Sequence, residues 1–363
     1  MFEWLDTPQV LIEKAVMDRN LKAMQDRATA LGKRLRPHSK THKSPELARQ
    51  QLALGADGIM VAKLDEASVM LSQGIVEQSV GYPMIGPIKA ARLAELMLRG
   101  LRPRVSVDSP EGISLLQAIG SKLGRAIEVL IEVNTGLNRA GLSQPPLVVA
   151  MAERIARQSH VHFKGLTCFG GHIGKQGSLD ATIAEIEAED AMLRSLAGDL
   201  NRAHLPPEVV SQGGSIVAHF AEHLRVATEL RPGTYIFNDM ATVQAHAAQL
   251  ADCAATILST VVSIQREWAV VDAGSKSLST DGTREGGFGH ILGRPDLRVL
   301  RLSEEHGIVA RVDGGPVSLA IGERLRIIPN HICTAINLHR MALLVRDEDV
   351  LGSVAISAAG GVH

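Results

Sequence analysis

From Leu35 to about Ala241, short apolar runs alternate with segments whose apolar residues recur at helical spacing. That alternation predicts parallel βα units rather than hairpins. The predicted strands are Arg34–Lys40, Gly58–Ala62, Gln78–Met84, Arg104–Val107, Ala126–Val133, His162–Cys168, Glu208–Ser211 and Arg225–Leu230. Helical spacing between them covers Pro45–Leu54, Glu66–Leu71, Lys89–Leu98, Pro146–Gln158 and Leu179–Arg202, after a first helix over Glu13–Leu31 that Gly32 ends. Eight strands in this order predict a (β/α)8 barrel, an α/β fold in which functional groups gather at the C-terminal ends of the strands.

Beyond Ala241 the pattern changes. Thr256–Ile264, Trp268–Asp272, Ile308–Val312, Arg324–Pro329 and Ala342–Val345 read as strands joined by Gly, Asp and Pro turns, with little helical spacing. This predicts a C-terminal all-β domain, so residues 14–245 form the barrel and 246–363 the second domain. Ahead of both, Thr7-Pro8-Gln9-Val10-Leu11-Ile12 reads as a short extended segment, because proline restricts the residue before it and an apolar run follows.

Composition narrows the function without naming it. A chain of 363 residues that is 45% hydrophobic can bury a large core, and with 3% aromatics that core rests on Leu, Ile, Val, Ala and Met. Lys and Arg number 38 against 39 Asp and Glu, so no net field favours nucleic acid or an anionic membrane, and a small-molecule substrate is expected. The three cysteines, Cys168, Cys253 and Cys333, are an odd number without framework spacing, which points to a reducing, cytoplasmic setting. No signal segment and no membrane-length apolar run is expected.

The chemistry-bearing residues fall where a barrel would display them. Arg36-Pro37-His38-Ser39-Lys40-Thr41-His42-Lys43 crowds cationic and titratable groups at the end of the first barrel strand. Ser211-Gln212-Gly213-Gly214-Ser215 follows the seventh, where glycine N–H groups and the Ser215 hydroxyl would suit a dianion. Further glycine-flanked turns, around Arg139, His172 and Arg231, follow the fifth, sixth and eighth. Far along the chain, Pro329-Asn330-His331-Ile332-Cys333-Thr334 offers a second centre; in a strand, positions i and i+2 share a face, so His331 and Cys333 could address one ion.

These motifs together resemble the D-threonine aldolase and D-serine dehydratase family of pyridoxal-phosphate enzymes with the alanine racemase-like fold. The resemblance runs from Thr7 to Ala359-Gly360, and it groups the N-terminal strand of residues 1–13 with the β domain. It implies that Lys40 is the Schiff-base lysine, with Lys43 its sequence-near decoy, and that Arg139, in Asn134-Thr135-Gly136-Leu137-Asn138-Arg139-Ala140-Gly141, meets the cofactor's phenolic oxygen. The family pattern has an aspartate where Asn134 stands, so no carboxylate role carries over there. His172 would line the cofactor, Gly213, Gly214, Ser215 and Tyr235 would serve its phosphate, and Arg231 its ring nitrogen. His331 and Cys333 match the family's metal motif; His-x-Cys accompanies zinc in the dehydrating branch, and His-x-Asp accompanies harder ions in the aldolases. A thiolate favours zinc, with manganese or magnesium the alternatives. The implied enzyme is a lyase of β-hydroxy-D-amino acids, working as a homodimer, leaning to dehydration of D-serine or D-3-hydroxyaspartate. Retro-aldol cleavage stays open, as do, more remotely, a racemase and a cofactor-carrying protein.

Overall fold

The computed structural model describes residues 2–283 and 286–363. Their contacts divide into two units: one of Ala23–Lys40, Leu47–Gly233 and Gly361–His363, the other of Met1–Lys22, Thr41–Glu46 and Thr234–Gly360. The division falls ahead of the boundary expected at 245, because Thr234–Gln244 makes its backbone bonds with the second unit. Met240 and Ala241 donate to the carbonyls of Pro329 and Asn330, and Phe237 accepts from Ala254.

In chain order the strands begin with β1 (Gln9–Glu13), β2 (Arg34–Leu35), β3 (Ile59–Val61), β4 (Glu77–Val80), β5 (Arg102–Val107), β6 (Ile127–Val133), β7 (Val161–Phe169), β8 (Val209–Gly213) and β9 (Glu229–Arg231). β2 to β9 pair in parallel in the order β2-β9-β8-β7-β6-β5-β4-β3. The first barrel strand is shorter than the Arg34–Lys40 expected, because Pro37 lacks the N–H a ladder needs. The chain beyond it still bonds on both sides. Arg36 and His38 donate to Leu230 and Pro232, whereas Ser39 donates to Met60 and Met60 donates to Pro37, which joins β2's extension to β3.

Parallel strands are covered on both faces, so they read as continuous apolar runs. β6, IEVLIEV, is buried along nearly its whole length, and its outer side chains pack on flanking helices. A further helix, Pro110–Leu123, stands between β5 and β6, with clear boundary signals in its sequence. Ser109 caps it by accepting from Gly112 N at 3.3 Å, Pro110 opens it, and Gly124 closes it in the left-handed conformation at φ 62°. It buries Ile113, Leu116 and Ile119, each worth roughly 1.5–3 kcal/mol.

The remaining strands are β10 (Ala255–Ile264), β11 (Trp268–Val271), β12 (His290–Ile291), β13 (Leu297–Leu302), β14 (Gly307–Arg311), β15 (Arg324–Ile328), β16 (Met341–Arg346) and β17 (Asp349–Ala355). They join β1 in one sheet ordered β13-β14-β11-β10-β1-β16-β17, with β15 on β10 and β12 on β15. β1 sits antiparallel to β10 and parallel to β16, so the N-terminal segment is an interior strand of this sheet. No helix among the described residues is long and apolar enough to cross a membrane.

Candidate active site

At the C-terminal ends of the barrel strands lies a pocket of about 520 Å³. Lys40 and His38 come from the segment after β2, Lys63 from just past β3, Tyr82 from just past β4, Glu132 from β6 and Arg139 from the loop after it, Phe169 from β7 and Arg231 from β9. Phe169, to which the sequence pattern assigns no role, is part of the lining. Its ring carries Lys40 Nζ at 5.1 Å and the Arg139 guanidinium at 4.9 Å from its centroid, so one aromatic ring holds two cations.

Arg231 is buried beneath. Its Nη2 donates to the carbonyls of Cys168 and Ser211 and its Nη1 to Met60 Sδ, while Nε has no partner. Burial pushes its pKa below the ordinary arginine value, against the charges of nearby acids that include Glu229 and Glu132. A Cβ placed on Gly213 would stand 2.9 Å from Arg231 Nη2, so glycine at that position leaves the guanidinium its room. Gly136 does the same for His172, whose Nε2 would lie 2.9 Å from an added Cβ.

Two carboxylates also escaped the sequence reading. Glu132, buried, has Oε1 4.0 Å from Arg139 Nη2, and its pKa is raised by burial against the opposing charges of Arg231 and Arg139. Glu189, reaching in from the long helix Leu179–Arg202, accepts from Thr135 Oγ1 at 2.5 Å and Gln212 Nε2 at 3.2 Å, tying the Arg139 loop to the end of β8. Cys168 is buried on β7, and burial first of all holds its thiol well above the usual range, so it is an inert wall.

The second unit holds Tyr235, His331 and Cys333. The strand expected to carry His331 and Cys333 on one face is corrected. His331 is extended, at φ −135° and ψ 109°, but it caps the short helix Ile332–Ile336, and Cys333 lies in that helix's first turn. Asp239 sets this arrangement. It is fully buried; one oxygen accepts from Thr242 N at 3.0 Å to cap the helix Met240–Gln244, and the other lies 3.0 Å from both His331 Nδ1 and Ile332 N. Two helix starts and the imidazole are thus fixed by one carboxylate, which turns Nε2 of His331 free of that bond. Cys333 Sγ is 3.0 Å from Thr41 Oγ1 and 3.5 Å from Thr234 Oγ1. The negative sulfur of Cys333, ahead of the Asp239 bond and against burial, pushes the His331 pKa up to about 11. The sequence signal for Asp239 was a capping box, Asp239 to Thr242, overlooked in a region read only as the change of domain. Tyr235 is buried in the 3-10 turn Thr234–Ile236.

The chain matches the alanine racemase N-terminal domain family over residues 12–241 and a serine dehydratase domain family over 254–345. It is 33% identical to a D-threonine aldolase of Arthrobacter sp. over 98% of this chain and 93% of that one. It is 35% identical to the D-threo-3-hydroxyaspartate dehydratase of Delftia sp. over 91% of each. The chain belongs to this family. The solved D-threonine aldolase of Filomicrobium marinum superposes with a TM-score of 0.91 at 30% identity, covering 100% of this chain and 98% of that one. Alanine racemases at 14% and 13% identity share the fold alone. The family's members are pyridoxal-phosphate lyases, so this protein is an enzyme of that type.

The residues present suit the family's cofactor. Arg231 Nε, Gln212 Oε1 and His172 Nδ1 are buried polar atoms without a partner, all from the loops or strand ends of the barrel unit, and the cationic lining suits a phosphorylated aromatic anion. Lys40 lines the pocket, whereas Lys43 is buried in the second unit with its carbonyl accepting from Ala358 N. An imidazole and a thiolate suit a borderline-soft ion. Among the described residues no group of three or more His, Cys, Asp and Glu side chains gathers.

Proposed function

We propose that the protein is a pyridoxal-phosphate and divalent-metal dependent lyase of β-hydroxy-D-amino acids that eliminates water to give a keto acid and ammonia. The observation that carries the reading is the thiol donor: Cys333 beside an imidazole that Asp239 orients is a soft pair, which suits zinc. When bound, the cofactor supplies the electron sink and the ion polarises the β-hydroxyl. Lys40 Nζ holds the cofactor and takes the substrate's α-proton. Arg139 faces the phenolic oxygen, restrained by Glu132 at 4.0 Å. Arg231, which cannot give up a proton, meets the ring nitrogen, and Gly213, Gly214, Ser215 and Tyr235 serve the phosphate. A D-threo-3-hydroxyaspartate dehydratase, solved with a histidine and a cysteine two positions apart each replaced by alanine, the latter in a metal-free form, supports giving His331 and Cys333 the metal.

A second reading, retro-aldol cleavage to glycine and an aldehyde, is supported by the 33% identity to a D-threonine aldolase over nearly the whole chain. Incubation with pyridoxal phosphate and zinc or manganese, against D-serine, D-threonine and D-3-hydroxyaspartate in turn, separates the two. Keto acid and ammonia are expected. Glycine and aldehyde as the main products would replace dehydration by the aldol reading, and no product from any of the three would overturn both.

A further inference from the structure

We infer that Lys63 is the residue by which the pocket recognises a carboxylate of its substrate. This rests on the reading of the pocket as an amino-acid lyase site. Four basic lysine and arginine side chains line the pocket, Lys40, Lys63, Arg139 and Arg231, against the single carboxylate of Glu132. Three of the four have other work. Lys40 and Arg139 share the Phe169 ring and are assigned to the cofactor, and Arg231 is committed by its own hydrogen bonds to the pocket floor.

Lys63 has no such commitment. Among the described residues its ammonium makes no hydrogen bond or ion pair; its contact is the face of Tyr82, with Nζ 3.6 Å from the ring centroid. The two come from successive barrel strands, Lys63 just past β3 as the extended residue before the helix Leu64–Ser72, and Tyr82 just past β4. A cation held on a ring face is aimed but not neutralised, since the ring offers a quadrupole and no charge. Its three N–H donors stay available to an anion at the pocket wall. The substrates of this reading bring one in every case, the α-carboxylate, and hydroxyaspartate brings a second on its side chain. The shared chemistry is a carboxylate on an ammonium.

The test uses D-alanine and D-aspartate, which carry no β-hydroxyl, titrated calorimetrically into the cofactor-loaded wild type, Lys63→Met, Lys63→Arg and Tyr82→Leu. Lys63→Met keeps the stem and removes the charge, so about tenfold weaker binding is expected, with Lys63→Arg recovering most of it. Tyr82→Leu frees the ammonium without deleting it and should give a smaller loss of the same pattern. Weakening for both ligands assigns Lys63 to the α-carboxylate; weakening confined to D-aspartate assigns it to the side-chain carboxylate. Wild-type affinity of folded Lys63→Met for both ligands would overturn the inference. Because binding is read without turnover, Lys63-dependent binding by a protein with no lyase activity would leave this inference standing and remove the proposed function.

Discussion

The pocket of the barrel unit and the His331 centre of the second unit are built on opposite principles. The pocket draws single side chains from the ends of many strands, and three buried polar atoms of the same unit, on Arg231 in the pocket wall and on Gln212 and His172, have no protein partner. The His331 centre draws its parts from a few residues around one buried carboxylate, with Asp239 serving His331, Ile332 and Thr242 together. A broad ring of loops and strand ends with unpaired polar atoms suits a large planar ligand that completes it. A donor pair locked by a buried carboxylate suits a small ion, whose affinity depends on the angles being set beforehand. Variants that cripple one without the other test that contrast.

The largest effect is expected at Lys40. Lys40→Ala should abolish the visible absorbance band of the bound cofactor and lower turnover about 10³-fold or more, since it removes both the covalent anchor and the proton acceptor. Lys43→Ala should keep the band, because Lys43 belongs to the other unit and does not line the pocket. A band that survives in Lys40→Ala and disappears in Lys43→Ala would reverse the assignment. Metal content should be unchanged in both.

Asp239→Asn is the complementary cut. Asparagine still caps a helix, so the fold should hold, but the charged acceptor behind His331 Nδ1 is lost. Metal affinity should fall roughly 10–100-fold, read by competition with a chromophoric chelator, while the cofactor band stays. Equal metal affinity in the variant would mean that His331 is not a ligand held by Asp239.

The barrel side of this contrast was more legible in the sequence than the other. The parallel strands announced themselves most clearly where they are apolar runs between helical segments, as in β6, and the long helix Leu179–Arg202 matches its expected bounds. β13 and β17 were missed. β13, LRVLRL, alternates arginine with aliphatic residues, and β17, DVLGSVA, is mostly exposed and carries a glycine, so neither makes a buried apolar run. In the site, Lys40, Arg139 and Arg231 stood out through flanking proline and glycine. Phe169, Glu132 and Lys63 did not, because their meaning lies in facing residues from other strands, and spacing along one chain carries no such information. The strand wrongly drawn through His331 and Cys333 has the same origin. An i, i+2 pair fits a strand as well as it fits a cap followed by a helical turn, and only Asp239, far away in sequence, decides between them.

The smallest effect on catalysis, and the clearest on stability, is expected deeper in the barrel. Glu229 on β9 is fully buried and bonds Arg36 Nε at 2.9 Å, Arg104 Nη1 at 2.9 Å and Ser211 Oγ at 2.6 Å, linking β9 to β5 and β8 and to the residue after β2. Burial alone would raise its pKa, but the two guanidiniums and the hydroxyl outweigh it and hold the carboxyl at about 2. A folded-state value below the unfolded one stabilises the protein above the ordinary carboxylate range, and that stability is lost as the pH falls from about 4.5 towards 2. The shift corresponds to on the order of 3 kcal/mol. Glu229→Gln should therefore lower unfolding stability at pH 7 by about that amount, since it also leaves buried Arg36 and partly buried Arg104 short of a counter-charge. Its stability should then vary less than the wild type's across the acid window, and the cofactor band and metal content of the folded variant should match the wild type. Denaturant titrations at pH 7, 4.5 and 3 read this directly. Parallel acid profiles for the two proteins would show that Glu229 does not carry the barrel's acid sensitivity.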